Sequence, residues 1–190
     1  MTYCQFAATL AADSTDPNKH YHDHVYGFAV SADNELFARL VLEINQAGLS
    51  WITILKKWQG FYQAYAEFDI ATVAAFTETD VARLLADASI IRNRLKVQAA
   101  VYNAQQILML QQEYGSFKAW LDHYHPLDKE AWVKLFKQQF KFVGGEIVNE
   151  FLMSTGYLAG AHDADCPVLS QVLASKPLFA QTPQQDDTPC

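Results

Sequence analysis

The sequence predicts an all-α fold, and three observations support this prediction. Apolar residues recur at helical spacing along most of the 190 residues. No segment shows the alternation of apolar and polar residues that is typical of a half-buried strand. Glycine and proline, which interrupt helices, are sparse before the last segment. We therefore expect one helical domain over residues 1–175, followed by a disordered tail, 176–190, whose Pro, Gln and Asp leave little to bury.

The first strongly periodic segment is residues 34–47. Its apolar stripe consists of Leu36, Phe37, Leu40, Val41 and Ile44. Gly48 is placed to end this helix, as a glycine after a helix C-terminus does. Ser50 can cap the next helix, which puts Trp51 in its first turn. The sequence therefore predicts a tight helix–turn–helix corner.

The C-terminal half has its own helix signals. Thr77 and Asp80 have the spacing of a capping box that opens a helix. Ser116 can cap the helix FKAWLDHY. Further helices are expected over residues 91–114, 128–139 and 145–155.

Composition narrows the class of protein. The net charge of −7 and the isoelectric point near 5.2 weigh against nucleic-acid binding, although local basic patches such as Arg92 to Lys96 and Lys134 to Lys141 would suffice for it. No apolar run could span a bilayer, and no basic region precedes the N-terminal apolar patch as in a signal peptide. Three cysteines cannot form a complete disulfide framework, so we expect a reducing, cytoplasmic compartment.

Glu43 is a carboxylate among core positions. At 100° per residue it lies about 20° from Leu36 and about 60° from Leu40 on the helical wheel. Burying an ionised carboxylate is costly unless it reaches a charge, a donor or a cleft. Glu43 therefore either snorkels, pairs with an arginine, or joins the aromatic face of Trp51 in a pocket for a planar, cationic or donor-bearing ligand.

The histidines and cysteines suggest a metal site. Three histidines lie in HYHDHVYG, residues 20–27, and His162 precedes Cys166 by four residues, which is one helical turn. With Cys4 and His22 these residues would form a Cys₂His₂ set, the tetrahedral shell that zinc prefers. Such a closed site would be structural and would join the two ends of the chain. The spacing alone also allows free thiols and surface histidines.

Several motifs together resemble the 3-methyladenine DNA glycosylase I family. They run in order from Cys4 to Cys166 as YHDHVYG, EINQAGLSWITILKK, ADASIIRNRLKVQA, QQFKFVGGEIVNEFL and the His162–Cys166 pair. The resemblance implies a helix-hairpin-helix glycosylase fold. It also implies base excision repair of alkylated double-stranded DNA, in which the N-glycosidic bond of a flipped N3-methyladenine is hydrolysed and free 3-methyladenine is released.

The resemblance also implies roles for individual residues. Cys4, His22, His162 and Cys166 correspond to a structural zinc site, and Glu43 corresponds to the catalytic carboxylate that binds the flipped base. The base-binding aromatics are Tyr21, Trp51, Phe6 and Tyr26. The DNA-binding hairpin residues are Ser89, Arg92, Arg94 and Lys96. In this hairpin Ser89 and Leu95 stand where the family usually has glycine, and Phe6, Asn18 and Tyr26 alter the usual aromatic pattern.

Three functions are compatible with these patterns. The first is an active, monomeric DNA-3-methyladenine glycosylase with no membrane association. The second is a divergent, non-catalytic relative that binds modified DNA or a free methylated purine. The third is a helical interaction protein that uses its acidic surface and a zinc site for scaffolding.

Overall fold

The computed structural model describes residues 1–181, and within this range every regular element is a helix, which confirms the predicted all-α fold. Two 3₁₀ turns, Ala66–Phe68 and Leu178–Ala180, accompany the α-helices. The α-helices of the described range are α1 Tyr3–Ala8, α2 Pro17–His24, α3 Asp33–Gln46, α4 Trp51–Leu55, α5 Trp58–Ala64, α6 Ile70–Ala74, α7 Glu78–Ala86, α8 Arg94–Tyr114, α9 Phe117–Tyr124, α10 Lys129–Gln139, α11 Gly145–Ser154 and α12 Leu169–Ala174.

Helix α3 lies at the centre of the molecule. Ten of its fourteen residues are buried, because α4, α8, α9 and α11 pack around it. The carboxylate of Asp33, at its start, accepts hydrogen bonds from the N–H groups of Phe117 and Lys118 at 2.8 and 2.9 Å. This contact joins α3 to the first turn of α9. The helix that carries Glu43 is therefore held from several sides.

The predicted helix starts are mostly confirmed. Thr77 and Asp80 form the capping box of α7, and the Ser116 hydroxyl accepts a hydrogen bond from the N–H of Ala119. The long helix α8 begins at Arg94, three residues later than predicted, because the Asn93 side chain caps it through the N–H of Lys96. The segment between α7 and α8 is thus a hairpin between two helices.

The corner between α3 and α4 has the predicted turn. Gly48 has a φ of +83°, a left-handed conformation in which a side chain would be strained. Ser50 occupies the N-cap position of α4, but its hydroxyl pairs with that of Thr53 at 2.8 Å and forms no capping bond to the backbone. The corner is therefore held by the glycine turn and by packing.

The C-terminal segment differs in part from the predicted disordered tail. Residues 176–181 include the turn Leu178–Ala180, Pro177 is buried, and the N–H of Phe179 donates to the carbonyl of Gly156 at 3.1 Å. The rest of the predicted tail, 182–190, lies outside the described residues. Among residues 1–181, none of the helices combines the length and the apolar character that a membrane crossing requires.

Candidate functional site

A cavity of about 420 Å³ opens beside the corner between α3 and α4. This volume is within the range of small-molecule binding sites. Its walls come from the first four helices, from the segment after α2 and from α11, which is distant in sequence. The lining residues are Tyr3, Tyr21, Tyr26, Glu43, Gln46, Trp51, Glu146 and Glu150. Aromatic rings and carboxylates therefore dominate the lining.

Glu43 is buried at this cavity and has no partner among the described residues. Its exposed fraction is 5%, and no protein group in residues 1–181 forms a hydrogen bond or ion pair with its carboxylate. Arg39, one turn earlier on α3, pairs with Glu35 at 2.7 Å instead. The arginine pairing that the sequence left open is therefore not formed. The carboxylate faces the cavity with its acceptor capacity unused.

The environment of Glu43 favours its neutral form. Burial raises the pKa of its carboxyl to about 8, and the negative charge of Glu150 adds to this rise, while the Arg39 guanidinium opposes it. A positively charged ligand in the cavity would reverse this balance and favour the carboxylate. The site is thus prepared to interact with a cation.

The raised pKa predicts a pH-dependent stability difference between the wild type and Glu43→Gln. Between about pH 4.5 and pH 8 Glu43 is ionised in the unfolded chain and protonated in the folded one, so its contribution to stability is lost as pH rises through this window. We expect the unfolding free energy of the wild type to fall relative to Glu43→Gln by up to about 1.4 kcal/mol per pH unit. Urea denaturation from pH 5 to 9 measures it, and a pH-independent difference would contradict the raised pKa.

The aromatic walls meet around Tyr21. Its ring lies edge-on to Trp51, with centroids 5.0 Å apart, and tilts against Tyr26 at 5.6 Å. The guanidinium of Arg39 lies 5.7 Å from the centre of the Tyr21 ring. The Tyr21 hydroxyl and Trp51 Nε1 are buried and have no hydrogen-bond partner within residues 1–181. Both are donors that a bound molecule could use.

One predicted wall residue is replaced by its neighbour. Phe6 does not line the cavity; it stacks on Tyr3 at a centroid distance of 6.4 Å, and Tyr3 lines the cavity instead. Tyr3 is thus the residue of α1 at the cavity wall, and a role of Phe6 in base binding stays a prediction. Glu146 and Glu150 also line the cavity and are not among the predicted site residues, although a carboxylate at position 150 within the apolar run IVNEFL is the same kind of signal as Glu43.

The four predicted metal ligands form one cluster. The candidate ligand atoms of Cys4, His22, His162 and Cys166 all lie within 4.8 Å of one another. Cys4 Sγ is 3.6 Å from His162 Nδ1, and Cys166 Sγ is 3.7 Å from His22 Nε2. The cluster joins α1 and α2 to the segment before α12 and could hold a metal ion.

Neighbouring groups orient the two histidines. His22 Nδ1 lies 2.7 Å from Asp23 Oδ1, and His162 Nε2 lies 2.8 Å from the carbonyl oxygen of Tyr26. Each ring therefore directs its other nitrogen to the centre of the cluster, as metal-binding histidines do. Gly27 has a φ of +83°, and a Cβ there would lie 2.8 Å from Ala161 Cβ and 3.2 Å from His162 Cδ2. Only glycine leaves space for this close approach.

The predicted hairpin residues lie in two different environments. Ser89, Arg92 and Arg94 are exposed along the hairpin between α7 and α8. Neither Ser89 nor Leu95 has a positive φ, so a glycine is not required at either position for this backbone. Lys57 Nζ donates to the carbonyl of Ala88 at 2.7 Å and anchors the hairpin to the preceding helices.

Lys96, in contrast, points inward. Its side chain is buried, and Nζ donates to the carbonyls of Asn45 and Ala47 at 2.9 and 2.7 Å, with the Phe142 ring 5.8 Å away. A cation at these carbonyls also complements the C-terminal end of the α3 dipole. The predicted DNA contact of Lys96 is therefore replaced by a contact that supports the corner after Glu43, because the ammonium is committed to the backbone.

We expect Lys96→Met to lower the free energy of unfolding by about 2 kcal/mol, because it leaves two carbonyls without their donor and removes a cation from a helix C-terminus. Arg94→Met, an exposed change in the same helix turn, serves as the control and should stay within about 0.5 kcal/mol of the wild type. Urea denaturation measures both. Equal stability of the two variants would show that Lys96 does not support the corner.

Comparison with known proteins agrees with this geometry. The methyladenine glycosylase family model matches residues 11–134. The DNA-3-methyladenine glycosylase 1 of Escherichia coli strain K12 is 34% identical over 165 residues, which cover 77% of this chain and 88% of the relative.

Two solved structures share the fold. The 3-methyladenine DNA glycosylase I of Staphylococcus aureus, described for its recognition of 3-methyladenine, superposes with a TM-score of 0.73 at 35% identity and covers 82% of this chain and 93% of its own. A variant of 3-methyladenine DNA glycosylase I in complex with 3-methyladenine superposes with a TM-score of 0.76 at 34% identity, covering 88% and 97%. By family model, identity and fold, this chain belongs to the 3-methyladenine DNA glycosylase I family.

Proposed function

We propose that the protein is a DNA-3-methyladenine glycosylase of base excision repair, which hydrolyses the N-glycosidic bond of 3-methyladenine in alkylated double-stranded DNA. The observation that carries this proposal is the unpaired, buried carboxylate of Glu43 at an aromatic cavity. N3-methylation gives the adenine ring of the nucleotide a positive charge. A carboxylate among aromatic faces therefore binds such a cationic base more favourably than it binds a neutral base.

The base must leave the duplex before it can enter the cavity. Tyr21 and Trp51 would then provide stacking faces, which contribute on the order of 1–3 kcal/mol per base. Glu43 would accept hydrogen bonds from the amino edge of the base and complement its charge. The buried donors Tyr21 OH and Trp51 Nε1 would be available to the ring nitrogens.

The chemical step needs little further activation by the protein. When the C1′–N9 bond breaks, its electron pair neutralises the cationic ring, so free 3-methyladenine leaves without prior protonation. Water adds to C1′ and releases a proton, which leaves an abasic sugar. The contribution of the pocket is to hold the base out of the stack, in a site from which water is largely excluded.

We assign the DNA contact to the hairpin between α7 and α8. Arg92 and Arg94 are exposed there, and the N–H groups of Arg94 and Leu95 have no acceptor within residues 1–181. The first turn of a helix with free N–H groups suits a phosphate oxygen. All the residues invoked at the pocket and the hairpin come from one chain, so we propose that the protein acts as a monomer.

We propose that the Cys₂His₂ cluster binds one zinc ion in a structural role. Tetrahedral zinc, with bonds of about 2.3 Å to sulfur and about 2.05 Å to nitrogen, places the two kinds of ligand atom roughly 3.6 Å apart. The sulfur–nitrogen distances of 3.4, 3.6 and 3.7 Å in the cluster suit this arrangement. Four protein ligands leave no position open for a reactant. Buried thiols kept for a metal also suit a reducing compartment such as the cytoplasm.

Turnover on methylated DNA tests the proposal. The zinc-loaded protein is incubated with an excess of DNA treated with dimethyl sulfate, and free 3-methyladenine is quantified by chromatography. We expect several molecules of 3-methyladenine per protein chain, well above spontaneous depurination. Binding of free 3-methyladenine without release from DNA would favour the alternative of a non-catalytic relative.

A further inference from the structure

The cavity contains a second carboxylate, which the proposed function leaves unused. Glu150 lies on α11, faces the same cavity as Glu43, and is half-buried. The hydroxyl of Tyr26 donates to its Oε2 at 3.0 Å. A carboxylate has two acceptor oxygens, so this hydrogen bond leaves Oε1 available to another group.

No cation in residues 1–181 forms an ion pair with Glu150. Within residues 1–181 its carboxylate has no lysine, arginine or histidine nitrogen within 4.0 Å. The nearest candidate on the preceding helix, Lys129, pairs with Glu146 at 3.1 Å instead. Burial raises the pKa of Glu150, and its charge in turn contributes to the raised pKa of Glu43. The charge of Glu150 therefore disfavours the ionisation of Glu43 in the free protein.

A second observation also indicates that the cavity suits a ligand. Glu43 is 95% buried and unpartnered, and Trp51 Nε1 on the adjoining wall is a buried donor without an acceptor in residues 1–181. A pocket with two unneutralised carboxylates is costly unless a cation occupies it. A cationic planar base in the cavity would satisfy both carboxylates, whereas a neutral base of the same shape would satisfy neither charge.

We propose that Glu150 is a specificity-determining residue, which with Glu43 makes the cavity select purines with a fixed positive charge over neutral purines of the same shape, and that Tyr26 is its positioning residue. This inference rests on the proposed function, because it assumes that the cavity holds the target base. It gives a role to the Tyr26 hydroxyl, which lies at the cavity wall and donates to Glu150. The carbonyl of Tyr26 also contacts His162, so the metal cluster and Glu150 hold Tyr26 from opposite ends.

Two probes of equal shape test the charge selection. The first is 3,9-dimethyladeninium, a permanent cation in which a methyl group replaces the sugar. The second is its 3-deaza analogue, in which carbon replaces N3 and the ring has no fixed charge; both probes are titrated at a pH above the pKa of N1 in this analogue, so that its ring stays neutral. Binding of each to the full-length, zinc-loaded protein is measured by isothermal titration calorimetry, and the ratio of the two dissociation constants reports the preference for charge.

We expect Glu150→Gln to reduce the preference for the cation by about tenfold, the size expected for one partly solvated charge near the ligand. Affinity for the neutral probe should stay within about twofold, since glutamine conserves the shape. The control Glu113→Gln removes the same charge from an exposed site near the C-terminal end of α8. It should leave the ratio of the two dissociation constants at the wild-type value. An unchanged ratio in Glu150→Gln, or wild-type protein that binds both probes equally, would overturn the inference.

A double-mutant cycle tests the role of Tyr26. Tyr26→Phe should lower the cation preference in the wild type and have little further effect in Glu150→Gln, because its role depends on that carboxylate. Equal effects in both backgrounds would show that Tyr26 is merely part of the wall. Release of 3-methyladenine from methylated DNA is measured in parallel. If the wild type releases 3-methyladenine but Glu150→Gln leaves the ratio of the dissociation constants unchanged, only the selection by Glu150 is refuted. If the wild type releases no 3-methyladenine, the proposed function is refuted.

Discussion

Replacing Glu43 with glutamine is expected to slow the release of 3-methyladenine from methylated DNA by roughly 100-fold to 1,000-fold, the usual cost of removing one preorganised electrostatic contact from an active site. Glutamine keeps the shape of the side chain and its carbonyl oxygen. It loses the negative charge that complements the cationic base, and its amide adds a donor that faces the donor edge of the base. Single-turnover release, measured by chromatography, provides the rate.

The stability of the Glu43→Gln variant makes this result easy to interpret. Because the folded protein holds Glu43 in an environment that raises its pKa to about 8, the neutral glutamine should be at least as well tolerated as the wild-type residue near neutral pH. Loss of activity therefore cannot be attributed to unfolding. Glu113→Gln, an exposed change outside the cavity lining, should retain the wild-type rate. Release by Glu43→Gln within threefold of the wild type would contradict the role of Glu43.

Removal of the metal is expected to have the largest effect on stability. The cluster joins α1 and α2 to the segment that contains Cys166, and a zinc ion would bond to all three segments at one point. We expect about one zinc ion per chain in the purified wild type. Cys4→Ser should reduce this content to near zero and lower the Tm by on the order of 10 °C.

A control variant shows whether the effect is specific to the four residues of the cluster or follows from any substitution in the helices that the cluster joins. His24→Asn changes an exposed histidine of α2 that is not in the cluster, and should keep both the zinc content and the Tm. Elemental analysis and calorimetry measure the two quantities. Metal-free protein with an unchanged Tm would show that the cluster is not a structural metal site.

Much of the fold could be predicted because the helix signals are local. The apolar stripe of α3, the capping box at Thr77 and Asp80, and the cap at Ser116 depend on residues close in sequence. The wheel position of Glu43 placed its carboxylate near the core. Spacing could not decide between an ion pair and a pocket, because the answer depends on Arg39 pairing with Glu35.

The remaining differences arise from contacts between distant segments. Tyr3 rather than Phe6 reaches the cavity because the metal cluster and the short helix α1 set which face points inward. Lys96 lies in a basic run, and its sequence context did not indicate that Asn45 and Ala47 would supply two carbonyls to it. Glu150 stands out in sequence as a carboxylate within an apolar run, but it lines the pocket because α11 packs against α3, which its local sequence does not specify.

The most direct test of the central claim is the identity of the bases that the wild-type protein releases from dimethyl sulfate-treated DNA. We predict time-dependent release of 3-methyladenine in proportion to protein concentration, with unmodified adenine retained in the DNA. Heat-inactivated protein provides the background of spontaneous depurination. If folded, metal-loaded protein releases no 3-methyladenine above that background, the account of this cavity as a catalytic base pocket is wrong.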